Sequence, residues 1–185
     1  TDLSLHRGID GGIDGGIGGP GDAPADGFRD PRHPALGWRA YRDTPQPETD
    51  PQIDWAALRV AHCIPESGTE LGPDTFILEA GFERLHGVDF RKGCYVGQET
   101  ISRIKSVGRV NRLLTQFTAD SSVEPRVSIY LPVQDGKPVG EITSVAEADG
   151  QFIALGYLSR KAADATDFVT TSGSNSATIE LKVQR

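Results

Sequence analysis

The chain has 185 residues, 37% of them hydrophobic, with 22 glycines, enough for one large domain or two small ones. A formal net charge of −7 argues against a broad electrostatic footprint for nucleic acid. No apolar run approaches the roughly 18 residues of a membrane span and no signal peptide opens the chain, so neither direct nucleic-acid contact nor membrane contact is expected.

Residues 8–27 repeat "GIDG" and continue as "GGIGGPGDAPADG", a flexible Gly-rich loop too poor in apolar side chains to order itself. A literal GxGxxG lies at Gly16–Gly21, but Pro20 interrupts it and no helix follows, so nucleotide binding is not expected there. "DPRHPALGWRAY" follows, with Pro31 and Pro34 bracketing a turn. Leu36–Arg42 reads as a short strand with Trp38 turned inward. After a polar linker, "DWAALRVAHCI" (Asp54–Ile64) shows the helical period, with Trp55, Leu58, Ala61 and His62 on one side and Asp54 as N-cap. Cys63 closes that helix beside Ile64 and reads as a buried structural thiol.

Phe76–Leu85 suggests a short helix that ends at His86-Gly87, with Gly87 as candidate C-cap. "GQETISRIKS" starts a second helix at Gly97–Glu99. From Val107 onward the runs alternate or are β-branched, separated by turn signals such as Asp135-Gly136 and Asp149-Gly150. Five or six strands in about 80 residues describe a small antiparallel barrel or sandwich. The domain boundary is expected near Ser106, between residues 1–106 and 107–185.

Two cysteines cannot make a disulfide framework, and a reducing compartment is the simplest inference. No methionine occurs, even at position 1, which leads us to expect a segment upstream of Thr1 or methionines missing from the sequence. Chemistry concentrates in Lys92–Glu99, "KGCYVGQE". A thiol reacts as its thiolate, which nearby cations and helix N-termini favour. Cys94 has Arg91 and Lys92 before it and a helix start after it, and its flanking glycines permit close approach of a ligand. An ordinary buried thiol in a tight turn is the competing reading. Structural zinc lacks any CxxC or paired His/Cys spacing. A Cys/His hydrolase would have to recruit His33, His62 or His86, none of which carries a local signature. Gln98 and Glu99 either cap the following helix or hold the Cys94 loop.

"LHGVDFRKGCYVGQETISR" resembles the signature of the YgfZ family of folate-binding iron–sulfur cluster assembly factors, whose hallmark K-G-C-Y-x-G-Q-E is matched throughout. "DPRHPALGWRAY" and "IPESGTELG" are similar to the same family. "LEAGF" at Leu78–Phe82 resembles the L-E-A-G stretch of glycine cleavage T-proteins, aminomethyltransferases that share the fold. The resemblance covers roughly residues 29–185 and is strongest over 75–105.

The resemblance implies an α+β chain: the C-terminal part of a ferredoxin-like, folate-binding T-protein-like region, its upstream part absent, followed by a small antiparallel β-barrel. It implies tetrahydrofolate or a derivative as cofactor, and Glu79 as the carboxylate that meets the pterin edge with two acceptors. It also implies that Lys92, Tyr95, Gln98, Glu99 and Arg103 contribute to folate binding, Lys92 and Arg103 through the glutamate tail. Cys94 is then a redox or transient cluster/persulfide thiol, and no resident metal is implied. The expected function is assistance in assembling or repairing iron–sulfur clusters in client enzymes, tRNA-modifying ones included. The expected partners are folate and iron–sulfur client or assembly proteins, in the bacterial cytoplasm or the mitochondrial matrix. The alternative is a folate-dependent aminomethyltransferase of the T-protein type, although that branch has no cysteine in this loop. One departure is Gly81, where YgfZ members usually carry a polar residue.

Overall fold

The computed structural model describes residues 4–8, 27–42, 54–108, 110–132, 136–171 and 178–184. The Gly-rich tract with its GxGxxG match, the linker after Arg42 and Asp135 lie outside them. The architecture is mixed α and β with antiparallel sheets. A three-stranded sheet joins β1 (Ser4–Gly8), β3 (Trp38–Arg42) and β2 (Gly27–Arg29), with β3 in the middle. Of these, only β3 was expected from its sequence.

Between β2 and β3 the "DPRHPALGW" turn is fastened by one buried carboxylate. Asp30 is 4% exposed; its Oδ2 accepts from Arg32 Nη2 at 2.7 Å and from Arg39 Nε at 2.6 Å. Burial works to raise the Asp30 pKa, but the Arg32 hydrogen bonds and the two guanidinium charges overcome it and hold the carboxyl below 3.8.

Helix α1 (Trp55–Ala61) begins as expected at Asp54, whose side chain accepts from the Ala57 N–H at 2.9 Å. Its buried residues are Ala57 and Val60, neither of them on the expected side of Trp55, Leu58, Ala61 and His62. The helix is covered from two directions. Val60 packs with Ile153 and Leu155, while Leu58 packs against Leu36, Ile64 and Leu85. A single amphipathic stripe was the wrong picture for a helix held between two clusters.

The expected helix over Phe76–Leu85 is instead a series of turns. Gly87 does not take the left-handed conformation of a C-cap; His86 does, at φ 57°. Glycine is needed at 87 for a different reason. A Cβ there would stand 2.5 Å from Phe82 Cδ1, well inside van der Waals contact.

Helix α2 (Gln98–Val107) precedes β4 (Arg112–Ala119), β5 (Ser128–Ile129), β6 (Gly140–Ala148), β7 (Gln151–Ser159), β8 (Asp167–Thr171) and β9 (Thr178–Val183). These strands form one antiparallel sheet in the order β5-β6-β7-β4-β9-β8. The β6–β7 hairpin turns on Asp149-Gly150, both at positive φ (53° and 72°), as an Asp-Gly hairpin turn requires.

The strands β5 and β8 end the sheet order, and they meet at one point. The Tyr130 N–H donates to Val169 O at 2.8 Å and the Val169 N–H returns to Tyr130 O at 2.9 Å. The core lies on the sheet's inner face and includes Phe117, Ile129, Ile142, Phe168 and Leu181. Phe117 of β4 meets Phe168 of β8 edge to face, with ring centroids 5.9 Å apart. β7 is buried on both faces. Ala154 and Leu158 join the inner core, and Ile153 and Leu155 take α1 on the outer one. That explains why "FIALGYL" is apolar almost throughout instead of alternating.

A second buried carboxylate locks α1 to this sheet. The Glu70 side chain is 0% exposed; its Oε2 accepts from Arg59 Nη1 at 3.1 Å and from the Glu66 N–H at 2.9 Å. Its Oε1 accepts from Thr143 Oγ1 at 2.8 Å and Ser144 Oγ at 2.5 Å. The pairing of β6 with β7 shifts register between Ile142 and Ser144. A bulge of this kind re-aims side chains, and here two successive hydroxyls reach one oxygen.

Candidate functional site

The Cys94 loop is built by a left-handed glycine and a side-chain bond. Gly97 is the N-cap of α2 at φ 85°, with no side-chain cap of its own. Gln98 reaches back instead, its Oε1 accepting from the Tyr95 N–H at 3.3 Å. The Lys92 ammonium sits 5.0 Å from the centre of the Tyr95 ring, a cation–π distance. These contacts pin the turn while leaving its tip bare. Cys94 is exposed, and neighbouring Val96 is fully exposed at 102%. Tyr95 Oη is buried without a hydrogen-bond partner among the described residues.

Helix α2 has no fully buried residue and is tied down from its last turn. Lys105 Nζ lies 2.6 Å from Glu83 Oε1 and 5.4 Å from the Phe90 ring centre. Glu99 and Arg103 project from exposed positions of this helix.

Glu79 stands elsewhere. It is 4% exposed, and its Oε2 accepts from Arg112 Nε at 2.9 Å. Its backbone carbonyl accepts from the Leu114 N–H at 2.8 Å, fixing the "LEAG" turns to β4. The Arg112 guanidinium stacks over Tyr157 at 4.4 Å. Burial raises the Tyr157 pKa to about 12, against the opposing Arg112 charge.

Glu79 lines a cleft of about 590 Å³ with Leu78, Arg84, Leu113, Leu114 and Cys63. One of the Glu79 oxygens is already engaged by Arg112, and the side chain is 5% exposed. Lys92, Tyr95, Gln98, Glu99 and Arg103 are not among the residues that line it. The structure therefore brings Lys92, Tyr95 and Gln98 together at the thiol loop and sets Glu79 in a separate cleft. The fit to a folate is partial: the cleft offers the Glu79 carboxylate at its wall, and the cationic residues expected at the tail lie outside it.

Cys63, not Cys94, faces the cleft. Its Sγ lies 3.8 Å from Leu114 O. Burial pushes its thiol pKa up, with Arg84 opposing. Arg84 Nη2 donates to Cys63 O at 2.6 Å and Nη1 to His62 O at 3.3 Å. Arg84 and Arg112 were both missed by sequence reasoning. The only available signal for Arg112 was that a buried carboxylate demands a cation, which names no position. Among the described residues no group of three or more His, Cys, Asp or Glu is placed to hold a metal ion. No helix among them is long and apolar enough to cross a membrane.

No family model matches the chain. Among curated proteins it is 33% identical over 121 residues to a chloroplastic protein of Arabidopsis thaliana named as a candidate transferase, covering 64% of this chain and 27% of that one. It is 29% identical over 136 residues to the mitochondrial iron–sulfur cluster assembly factor IBA57 of Mus musculus, covering 69% and 36%. It is 25% identical over 118 residues to the tRNA-modifying protein YgfZ of Aliivibrio fischeri, covering 62% and 37%. These similarities support a YgfZ/IBA57-like family for the chain. The chain spans 27% to 37% of the length of these relatives. Among solved structures, the glycine cleavage aminomethyltransferase T of Bartonella henselae matches with a TM-score of 0.58 at 16% identity, over 70% of this chain and 36% of that one. At that identity the match shows a shared fold.

Proposed function

We propose that this YgfZ/IBA57-like chain belongs to a tetrahydrofolate-binding factor that assists the assembly or repair of iron–sulfur clusters, with Cys94 as its working thiol. The observation that carries the reading is the bare thiol on a pinned turn. Gln98 and Lys92 hold Tyr95, and the exposed Cys94 can meet a partner protein without unfolding anything. The names of the relatives support iron–sulfur clusters as the cargo. Cys94 then acts as a transient ligand or sulfur carrier toward a cluster that belongs to the client, tRNA-modifying enzymes among them.

Tetrahydrofolate or a derivative is assigned to the side where Glu79 lies. Its carboxylate would hold the pterin amino and ring N–H groups between the walls of Leu78, Leu113 and Leu114. Folate supplies one-carbon or redox chemistry when bound; the chain's own residues orient it and shield it from water. Residues 1–106 are read as part of the folate-binding T-protein-like region and 107–185 as a small β-barrel, a reading supported by the single bridge between Tyr130 and Val169. Under this proposal the protein works in the bacterial cytoplasm or the mitochondrial matrix.

The test is rescue of cells lacking the protein with wild type or Cys94→Ser, reading several cluster-dependent enzyme activities. Cys94→Ser is expected to accumulate normally and fail to restore them. Full rescue by Cys94→Ser overturns the assignment.

A further inference from the structure

His33 and His62 stack face to face, 4.1 Å between ring centroids and 21° between planes. They come from different places: His33 from the Asp30–Gly37 turn, His62 from the C-cap of α1. His33 Nδ1 accepts from the Ala35 N–H at 3.2 Å, which requires the neutral ring with its proton on Nε2. The shared cationic neighbour is Arg84, bonded to the carbonyls of His62 and Cys63. The carboxylates of the surrounding elements are already paired: Asp30 with Arg32 and Arg39, Glu70 and Glu66 with Arg59, Glu83 with Lys105. A charge arriving on either ring therefore meets another imidazole and the Arg84 guanidinium, while the carboxylates named above are engaged by their own cations.

We propose that His33 and His62 form a pH-sensitive latch that holds the Asp30–Gly37 turn against the end of α1 and Arg84 when both rings are neutral, and releases it in mild acid. Leu36 of that turn is buried with Ile64 and Leu85. Release therefore loosens the backing of Cys63 and Arg84, two residues that line the cleft, and couples cleft geometry to pH. The electrostatics agree in sign. Burial and then Arg84 lower the His33 pKa below 6.5; burial, His33 and Arg84 lower that of His62. The unfolded chain binds the protons first, so the latch contributes its full stability above pH 6.5 and loses it as pH falls below that value.

The experiment is amide hydrogen exchange on the full chain at about pH 7.5 and about pH 5.5, on either side of an ordinary histidine pKa, corrected for intrinsic exchange. Protection of Ala35, Gly37 and Cys63 is expected to fall in acid by about two- to thirtyfold, the worth of a capping acceptor, while Tyr130 and Val169 hold. The double variant His33→Asn, His62→Gln keeps a capping acceptor without the titration and should lose the pH dependence. Equal protection at both pH values in wild type, or an undiminished fall in the double variant, overturns the latch. If that variant does not fold, imidazole proton shifts in wild type decide. Both rings titrating below 6.5 supports the latch, and either titrating at or above it overturns the latch.

Discussion

Glu79 is where stability and ligand binding make separable claims. Its side chain is 5% exposed and its Arg112 partner 45% exposed. Breaking a fully buried pair costs about 3–5 kcal/mol, and breaking an exposed one about 0–1 kcal/mol. A half-exposed guanidinium can turn to solvent, which puts Glu79→Gln at about 1–2 kcal/mol of stability. If the carboxylate also holds a pterin edge, losing those charge-assisted bonds weakens tetrahydrofolate binding by about 1.5–3 kcal/mol, or about 10- to 150-fold. Urea unfolding reads the first quantity, and titration of the full-length protein with tetrahydrofolate under reducing conditions reads the second. Arg112→Met serves as control: it keeps the carboxylate but strands it buried without its cation, so it should lose more stability than Glu79→Gln, about 3–5 kcal/mol, and much less affinity. Lost stability with unchanged affinity in Glu79→Gln would show that the carboxylate is a fastener and nothing more.

Glu70→Gln should cost about 3–5 kcal/mol, seen as a lower urea midpoint, because Arg59 is left beside a neutral group; a loss under about 1 kcal/mol contradicts the network described. Cys63 is half-buried at the cleft wall rather than buried as expected. Thiol labelling at neutral pH should still modify the exposed Cys94 well before Cys63, whose pKa is raised; the reverse order refutes the assignment of Cys94 as the working thiol. Asp30 is held below 3.8, so it contributes stability above that value that is lost as pH falls through its folded pKa. Asp30→Asn should flatten that acid limb, and an unchanged limb would refute the arginine clamp.

The parts of the fold legible in the sequence were those governed by local chemistry. Asp54 capped α1 as expected because an Asp before a helix can only do one useful thing with its oxygen. Asp149-Gly150 made its hairpin because both residues tolerate positive φ. The failures came from tertiary context. The stretch 76–85 has helical spacing, yet Glu79 O is bonded to β4 and Phe82 is pressed on Gly87, so it coils into turns. The two-sided burial of α1 is invisible to a pattern that assumes one apolar stripe. The separation of Glu79 from the Cys94 loop was equally hidden, since the two lie 15 positions apart in a turn-rich segment.

The resemblance motifs divide by what their polar residues do, and the division bears on function. In "DPRHPALGWR", Asp30 is buried on Arg32 and Arg39; in "IPESGTEL", Glu70 is buried on Arg59; in "LEAG", Glu79 is buried on Arg112. Each is an acid that cannot be buried without its arginine, so each motif has a sufficient reason in packing alone. "KGCYVGQE" has no such reason. It contains no buried ion pair among the described residues, its glycines meet no packing constraint, and its cysteine and valine face solvent. Folding alone would place no demand on a thiol at position 94. That supports the proposal that this turn, rather than the buried acids, carries the working chemistry of the chain.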